Sequence, residues 1–214
     1  MLKKYNVFLF DLDGTLTDSS EGIFKSFEYA LEKFGIEIGE NKNRLIGPPI
    51  MNSFRDFYGM DDAQAEKATH IYRERYGVKG LFENRVYDGI EEVLAELKRA
   101  GKTVLVATSK PEKYAREIME YFDIAKYFDY VAGAAFKGYP DTKKAVIECA
   151  LKALDIHDKS DVLMIGDRYH DVVGAHALDI DCLGILYGFG CREELEQAGA
   201  DYIEADVEDI LKFL

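Results

Sequence analysis

The stretch FLFDLDGTLTDS, residues 8–19, sets an unbroken apolar run against three aspartates, Asp11, Asp13 and Asp18. A short apolar run without polar alternation reads as a strand covered on both faces. Carboxylates placed directly at the end of such a strand repel one another or take up protons unless positive charge sits among them. A strand running into an N-capped turn would account for one aspartate. The pair in Asp-x-Asp-Gly-Thr spacing asks for a cation.

Outward from this stretch, short apolar runs alternate with helical periodicity. Strands are expected over Val7–Phe10, Thr103–Ala107, Tyr130–Ala132, Val162–Ile165, Cys182–Leu186 and Tyr202–Ile203. Ile90, Val93, Leu94 and Leu97 recur at helical spacing, with Asp88 and Glu91 in capping-box arrangement before them and Gly101 as the stop. Strand and helix in alternation predict an α/β fold, a doubly wound parallel sheet. One segment breaks the alternation. From Thr17 to Arg85 helix follows helix. Ile23, Phe24, Phe27, Ala30, Leu31 and Phe34 form an apolar stripe ending at Gly35, and Ala65, Ala68, Tyr72 and Tyr76 form another before Gly77. Gly47-Pro48-Pro49 is a rigid turn between them, and Asp18 is placed to cap the first helix. The expected organisation is a core of residues 1–16 and 86–214, with an all-helical cap over residues 17–85 inserted after the first strand.

The 214 residues are 48% hydrophobic and 31% charged, an ordinary globular balance with material for a sizeable core. A formal net charge of −13 argues against nucleic acid or an anionic membrane as a partner, since both need a basic face. A small anionic substrate is still admissible, because fields decay over about 8 Å at physiological salt and a local cation outweighs distant acids. No run suits a signal peptide or a membrane span, and Cys149, Cys182 and Cys191 show no CxxC spacing. A cytoplasmic protein with reduced thiols is expected.

In a doubly wound sheet, ligands gather beyond the carboxyl ends of the strands. That rule selects Asp11 and Asp13 after the first strand, Thr108, Ser109 and Lys110 after the second, and Asp167 with Asp171 in GDRYHD after the Val162–Ile165 strand. Oxygen ligands without a local His/Cys cluster favour a hard cation over zinc, and Mg²⁺ typically keeps several waters while bridging a substrate phosphate. Such a rim suits phosphate chemistry.

On these residues the chain resembles the haloacid dehalogenase-like (HAD) phosphatases over essentially its whole length, and particularly the phosphoglycolate phosphatase-like and 5′-nucleotidase-like branch with a helical cap. DLDGTLTDS resembles the first family signature, Thr108 in VATSKP the second and MIGDRYHD the fourth; IGPPI and LYGFG are similar to segments of that branch. The third signature is a lysine. KGYPD from Lys137 mimics one form of it but has Gly138 where a proline is expected, so Lys143 is preferred, with Lys137 and Lys144 as alternatives.

The resemblance implies that Asp11 attacks phosphorus in line to form an aspartyl phosphate, and that Asp13 protonates the leaving oxygen and then activates water. It implies Mg²⁺ held by Asp11, the main-chain carbonyl of Asp13 and Asp167, with Asp171 ordering the shell or its waters. Thr108 and Lys143 would hold and neutralise the phosphoryl oxygens, with Ser109 and Gly14 adding substrate contacts. Gly47 and Arg44 are the cap's candidate contacts. A closing lid leaves room for a small phosphorylated metabolite, phosphoglycolate-like or a nucleoside monophosphate, in a monomer or weak homodimer. Asp13 separates the chain from true dehalogenases, which need no acid two residues after the nucleophile. Two other readings stand beside this one, a sugar phosphomutase of the same fold and a non-enzymatic phospho-receiver module. His170 and His176 read as ordinary polar positions on the helix after the fourth signature.

Overall fold

A computed structural model describes residues 2–40, 42–136 and 139–214. In chain order the elements are β1 (Val7–Phe10), β2 (Thr17–Asp18), α1 (Ser20–Glu32), α2 (Ile50–Tyr58), α3 (Asp62–Arg75), β3 (Arg85–Val86), α4 (Ile90–Arg99), β4 (Thr103–Pro111), α5 (Glu112–Tyr121), β5 (Tyr130–Ala134), α6 (Lys143–Ala153), β6 (Val162–Gly166), α7 (Tyr169–His176), β7 (Asp181–Ile185), α8 (Arg192–Ala198) and β8 (Tyr202–Glu204). Six strands form one sheet in the order β5-β4-β1-β6-β7-β8, every neighbouring pair parallel. β2 and β3 pair separately as a two-residue ribbon.

The apolar run that opened the sequence is β1, at the middle of this sheet. Side chains alternate across a strand, so Val7 and Leu9 join Leu105 and Ala107 on one face, against Val146, Ile147, Ala150 and Leu151 of α6 and Val172 and Ala175 of α7. Phe8 and Phe10 are as fully buried on the other face, where the Phe10 ring meets Phe128 edge-on at 6.2 Å. A strand with both faces covered has no position for a polar residue until it leaves the sheet, which is why the aspartates begin at residue 11. Each such buried aliphatic or aromatic side chain contributes roughly 1.5–3 kcal/mol.

The chain divides into two compact units, Met1–Asp18 with Val86–Leu214, and Ser19–Arg85. The second is built from α1, α2 and α3 around Phe27, whose ring lies 4.9 Å from Phe54 and 5.0 Å from Tyr72. Its α3 opens with a reciprocal cap: Gln64 N–H donates to Asp61 Oδ1 at 2.8 Å and Asp61 N–H to Gln64 Oε1 at 3.2 Å. No helix among the described residues is long and apolar enough to cross a membrane.

Two expected caps are not formed. Asp18 lies in β2, and Ser19 occupies the N-cap of α1 without a side-chain capping bond. Asp88 is displaced from α4 by Gly89, which takes the N-cap itself at φ +86°, so a side chain at 88 stands one residue too early. The stop at Gly101 holds, with φ +72° and the Lys102 N–H reaching Leu97 O at 3.0 Å. β4 also runs further than expected: Thr108, Ser109 and Lys110 belong to the strand, whose register against β5 shifts between Thr108 and Pro111.

Candidate active site

Register brings the polar ends together. Phe10 is opposite Val106 of β4 and Ile165 of β6, so the next residue, Asp11, stands level with Ala107 inside β4 and with Gly166, the last residue of β6. Its N–H is tied to Ile165 O at 2.9 Å. Asp167 follows one residue after β6, and Asp171 sits in the first turn of α7. One carboxylate oxygen from each of Asp11, Asp167 and Asp171 falls within 4.8 Å of the others.

Lys143 enters this group from α6, of which it is the first residue, and its stem is buried. Its Nζ lies 2.9 Å from Asp11 Oδ1 and 2.8 Å from Asp171 Oδ1, and donates to Ala107 O at 3.0 Å. A Cβ added at Gly174 of α7 would come within 2.6 Å of Lys143 Cγ, so the mid-helix glycine clears the path of the lysine. Of the alternatives, Lys144 is half exposed beside Glu148, and Lys137 lies outside the described residues.

Main-chain N–H groups fix Asp11, Asp167 and Asp171. Leu12 N–H donates to Asp11 Oδ1 at 2.8 Å, and Arg168 N–H to Asp171 Oδ2 at 3.1 Å. Phe189 N–H donates to Asp167 Oδ2 at 2.7 Å, while Asp167 Oδ1 is buried without a hydrogen-bond partner among the described residues. Asp13 Oδ2 pairs with Lys110 Nζ at 2.9 Å, and its Oδ1 is likewise buried with no partner among the described residues.

The residues after β7 were not expected to contribute a contact here. Tyr187 donates its hydroxyl to Thr15 O at 3.0 Å, and the following Gly-Phe-Gly wraps Asp167 with main chain. A Cβ on Gly188 would collide with Asp167 Cβ and Gly14 O, and one on Gly190 with the Asp167 carbonyl. The signals for this collar were the LYGFG segment itself and its two glycines spaced around one aromatic shortly after an apolar strand.

Among the other expected residues, Thr108 is buried with its Oγ1 accepting the Lys110 N–H at 3.2 Å, and Ser109 between them is exposed. Gly14 has φ +84° and faces the Asp167 carboxylate. Gly47 and Arg44 belong to the helical unit, where the exposed Arg44 guanidinium lies 4.5 Å from the Phe57 ring. His176 pairs with Asp201 at 2.9 Å, whereas His170 is mostly buried, its Nε2 without a partner among the described residues, and burial pushes it below the usual histidine value.

The electrostatics fit a divalent cation. Three carboxylates against one ammonium leave two uncompensated negative charges, on oxygen donors only. Burial, then the charges of Asp171 and Asp11, push Asp167 well above the ordinary carboxylate range. Burial also lifts Asp171, to about 6, with Lys143 opposing and Asp11 adding to the rise. For Lys143 burial acts downward, but Asp11 and Asp171 outweigh it and hold the ammonium above the usual lysine value.

A raised carboxyl carries a pH signature. The folded, cation-free protein keeps protons that the unfolded chain, with carboxylates near 3.8, has already released. The contribution of Asp171 to stability therefore falls as pH climbs from 3.8 to about 6, and that of Asp167 falls over a wider range. A cation competes for the same oxygens, so divalent-ion affinity measured by calorimetry is expected to rise from pH 5.5 to 7.5. A flat profile would show that the two carboxylates do not share an ion.

Comparison with known proteins identifies the family. The profile described as Haloacid dehalogenase-like hydrolase matches residues 8–185. A protein named 5′-nucleotidase from Pseudomonas aeruginosa is 42% identical over 206 residues, 95% of this chain and 93% of that protein. One named tyrosine-protein kinase PtkA from Mycobacterium tuberculosis is 38% identical over 91% of this chain and 67% of its own length. The crystal structure of "a predicted phosphatase from Clostridium acetobutylicum" superposes with a TM-score of 0.93 at 46% identity, covering 98% of both chains. The chain is an enzyme fold of known kind: it belongs to the haloacid dehalogenase-like hydrolase family.

Proposed function

We propose that this protein is a Mg²⁺-dependent phosphatase that hydrolyses a small phosphomonoester through an aspartyl-phosphate intermediate. The observation that carries the reading is the pairing of two carboxylates with two different lysines. Asp11 shares Lys143 with Asp171 inside the cation-fitting cluster, while Asp13 stands apart on Lys110. The two carboxyls thereby answer to separate partners, as the two separate tasks of attack and proton transfer require.

In the first step an Asp11 oxygen attacks phosphorus, the ester P–O bond breaks, and its electron pair leaves on the alcohol oxygen, which takes the proton of Asp13. In the second, water attacks phosphorus, gives a proton to the Asp13 carboxylate, and the P–O bond to Asp11 breaks to release inorganic phosphate. Throughout, Lys143 neutralises the equatorial oxygens and the Thr108 hydroxyl holds them by hydrogen bonding. Mg²⁺, held by Asp11, Asp167, the Asp13 carbonyl and, through the shell, Asp171, would supply charge neutralisation at the phosphoryl group. The helical unit with Arg44 and Gly47 is read as the lid that selects the substrate, Ser109 and Gly14 as contacts on the core side.

The test is a phosphate-release screen with and without Mg²⁺ over phosphoglycolate, nucleoside monophosphates, pyrophosphate and glucose 1-phosphate. Metal-dependent inorganic phosphate from at least one small ester is the expected result. Conversion of glucose 1-phosphate to the 6-phosphate without phosphate release would replace hydrolysis by a mutase reaction. The similarity to a protein named a tyrosine kinase adds one arm, ATP with a tyrosine peptide; labelled peptide without released phosphate would make water the wrong acceptor.

A further inference from the structure

We infer that Lys110 is the positioning residue for Asp13: it fixes one oxygen of that carboxyl so that the other is presented to the leaving group. This inference rests on the proposed role of Asp13 as proton donor. Thr108 and Lys110 are two apart on β4 and both buried, with Ser109 exposed between them, so the strand's alternation puts threonine and lysine on the same side. The Lys110 N–H is anchored on Thr108 Oγ1 at 3.2 Å. From there Nζ reaches Asp13 Oδ2 at 2.9 Å, with the lysine side chain 5% and the aspartate side chain 16% exposed.

The remaining oxygen of Asp13, Oδ1, is buried with no hydrogen-bond partner among the described residues. A buried polar atom left unpaired is costly in a merely structural ion pair, where both oxygens would be satisfied. Here the unsatisfied atom is the one that a reacting oxygen would meet. Holding it within hydrogen-bond reach of that oxygen is what general acid catalysis demands. Lys143 does not do this work, since its contacts are Asp11, Asp171 and the Ala107 carbonyl.

A residue that acts through the proton donor has a kinetic signature that a structural residue lacks. Protonation matters in proportion to the basicity of the departing oxygen: p-nitrophenolate leaves nearly unaided, whereas phenolate needs the proton. The experiment measures kcat/KM, which reports the step that breaks the ester bond, for p-nitrophenyl phosphate and phenyl phosphate with wild type, Asp13→Asn, Lys110→Met and Lys110→Arg. General acid catalysis is worth about 10²–10⁴-fold, so Asp13→Asn is expected to depress phenyl phosphate at least about 10-fold more than the nitro ester. Lys110→Met is expected to show the same bias and Lys110→Arg to restore part of it. If Lys110→Met does not fold, Lys110→Gln carries the same comparison. A bias in Asp13→Asn with equal losses on both esters in the lysine variants overturns the positioning role and leaves the proton donor in place. No bias in Asp13→Asn overturns the role given to Asp13, and the inference on Lys110 with it.

Discussion

Asp11→Asn is expected to lower kcat by more than about 10⁴-fold with p-nitrophenyl phosphate at saturating Mg²⁺. An amide matches the carboxylate in shape and supplies no nucleophilic oxygen, so the residual rate is what binding and charge neutralisation alone provide. The variant is expected to stay folded, because Lys143 retains Asp171 at 2.8 Å and the Ala107 carbonyl at 3.0 Å when one of its two carboxylates is lost. Steady-state kinetics with a parallel thermal melt checks both halves. Wild-type turnover in a folded Asp11→Asn protein would remove the nucleophile from the mechanism.

Lys143→Met should be the most destabilising single change at the site. It leaves Asp11 and the fully buried Asp171 facing one another without the ammonium between them. Removing one partner of a buried ion pair costs about 3–5 kcal/mol, which in a chain of this size lowers the melting temperature by on the order of 10 °C. Added Mg²⁺ is expected to return part of that loss, because an ion among the carboxylates supplies the missing positive charge. Turnover should remain low even then, since the phosphoryl oxygens lose their cationic partner. A melting temperature unchanged from wild type would mean that the lysine is not the counter-charge of these aspartates.

How much of this was legible in the chain depended on what kind of atom does the work. β1 and β6 could be read because VFLF and VLMI are covered on both faces, and their first polar residues had to fall at the strand ends. Asp11 and Asp167 follow directly from that. The partnership of Lys110 with Asp13 could not be read, because it depends on β4 continuing past Thr108 so that residue 110 keeps the threonine's side of the strand. The Phe189 N–H is a main-chain group, and main-chain groups leave no mark in a sequence beyond the glycines that let them approach. The caps at Asp18 and Asp88 failed for a similar reason: whether a side-chain oxygen reaches an amide is decided by the backbone angle of its neighbour, as Gly89 shows.

The collar around Asp167 acts as a gauge of side-chain length. Oδ2 is seated on the Phe189 amide, Gly14 leaves no gap on that side, and Gly188 and Gly190 close the rear down to the backbone. One additional methylene would drive the carboxylate forward by a bond length with no slack behind it to absorb the shift. Glutamate, identical in charge and chemistry, is thereby disqualified at position 167 on dimensions alone.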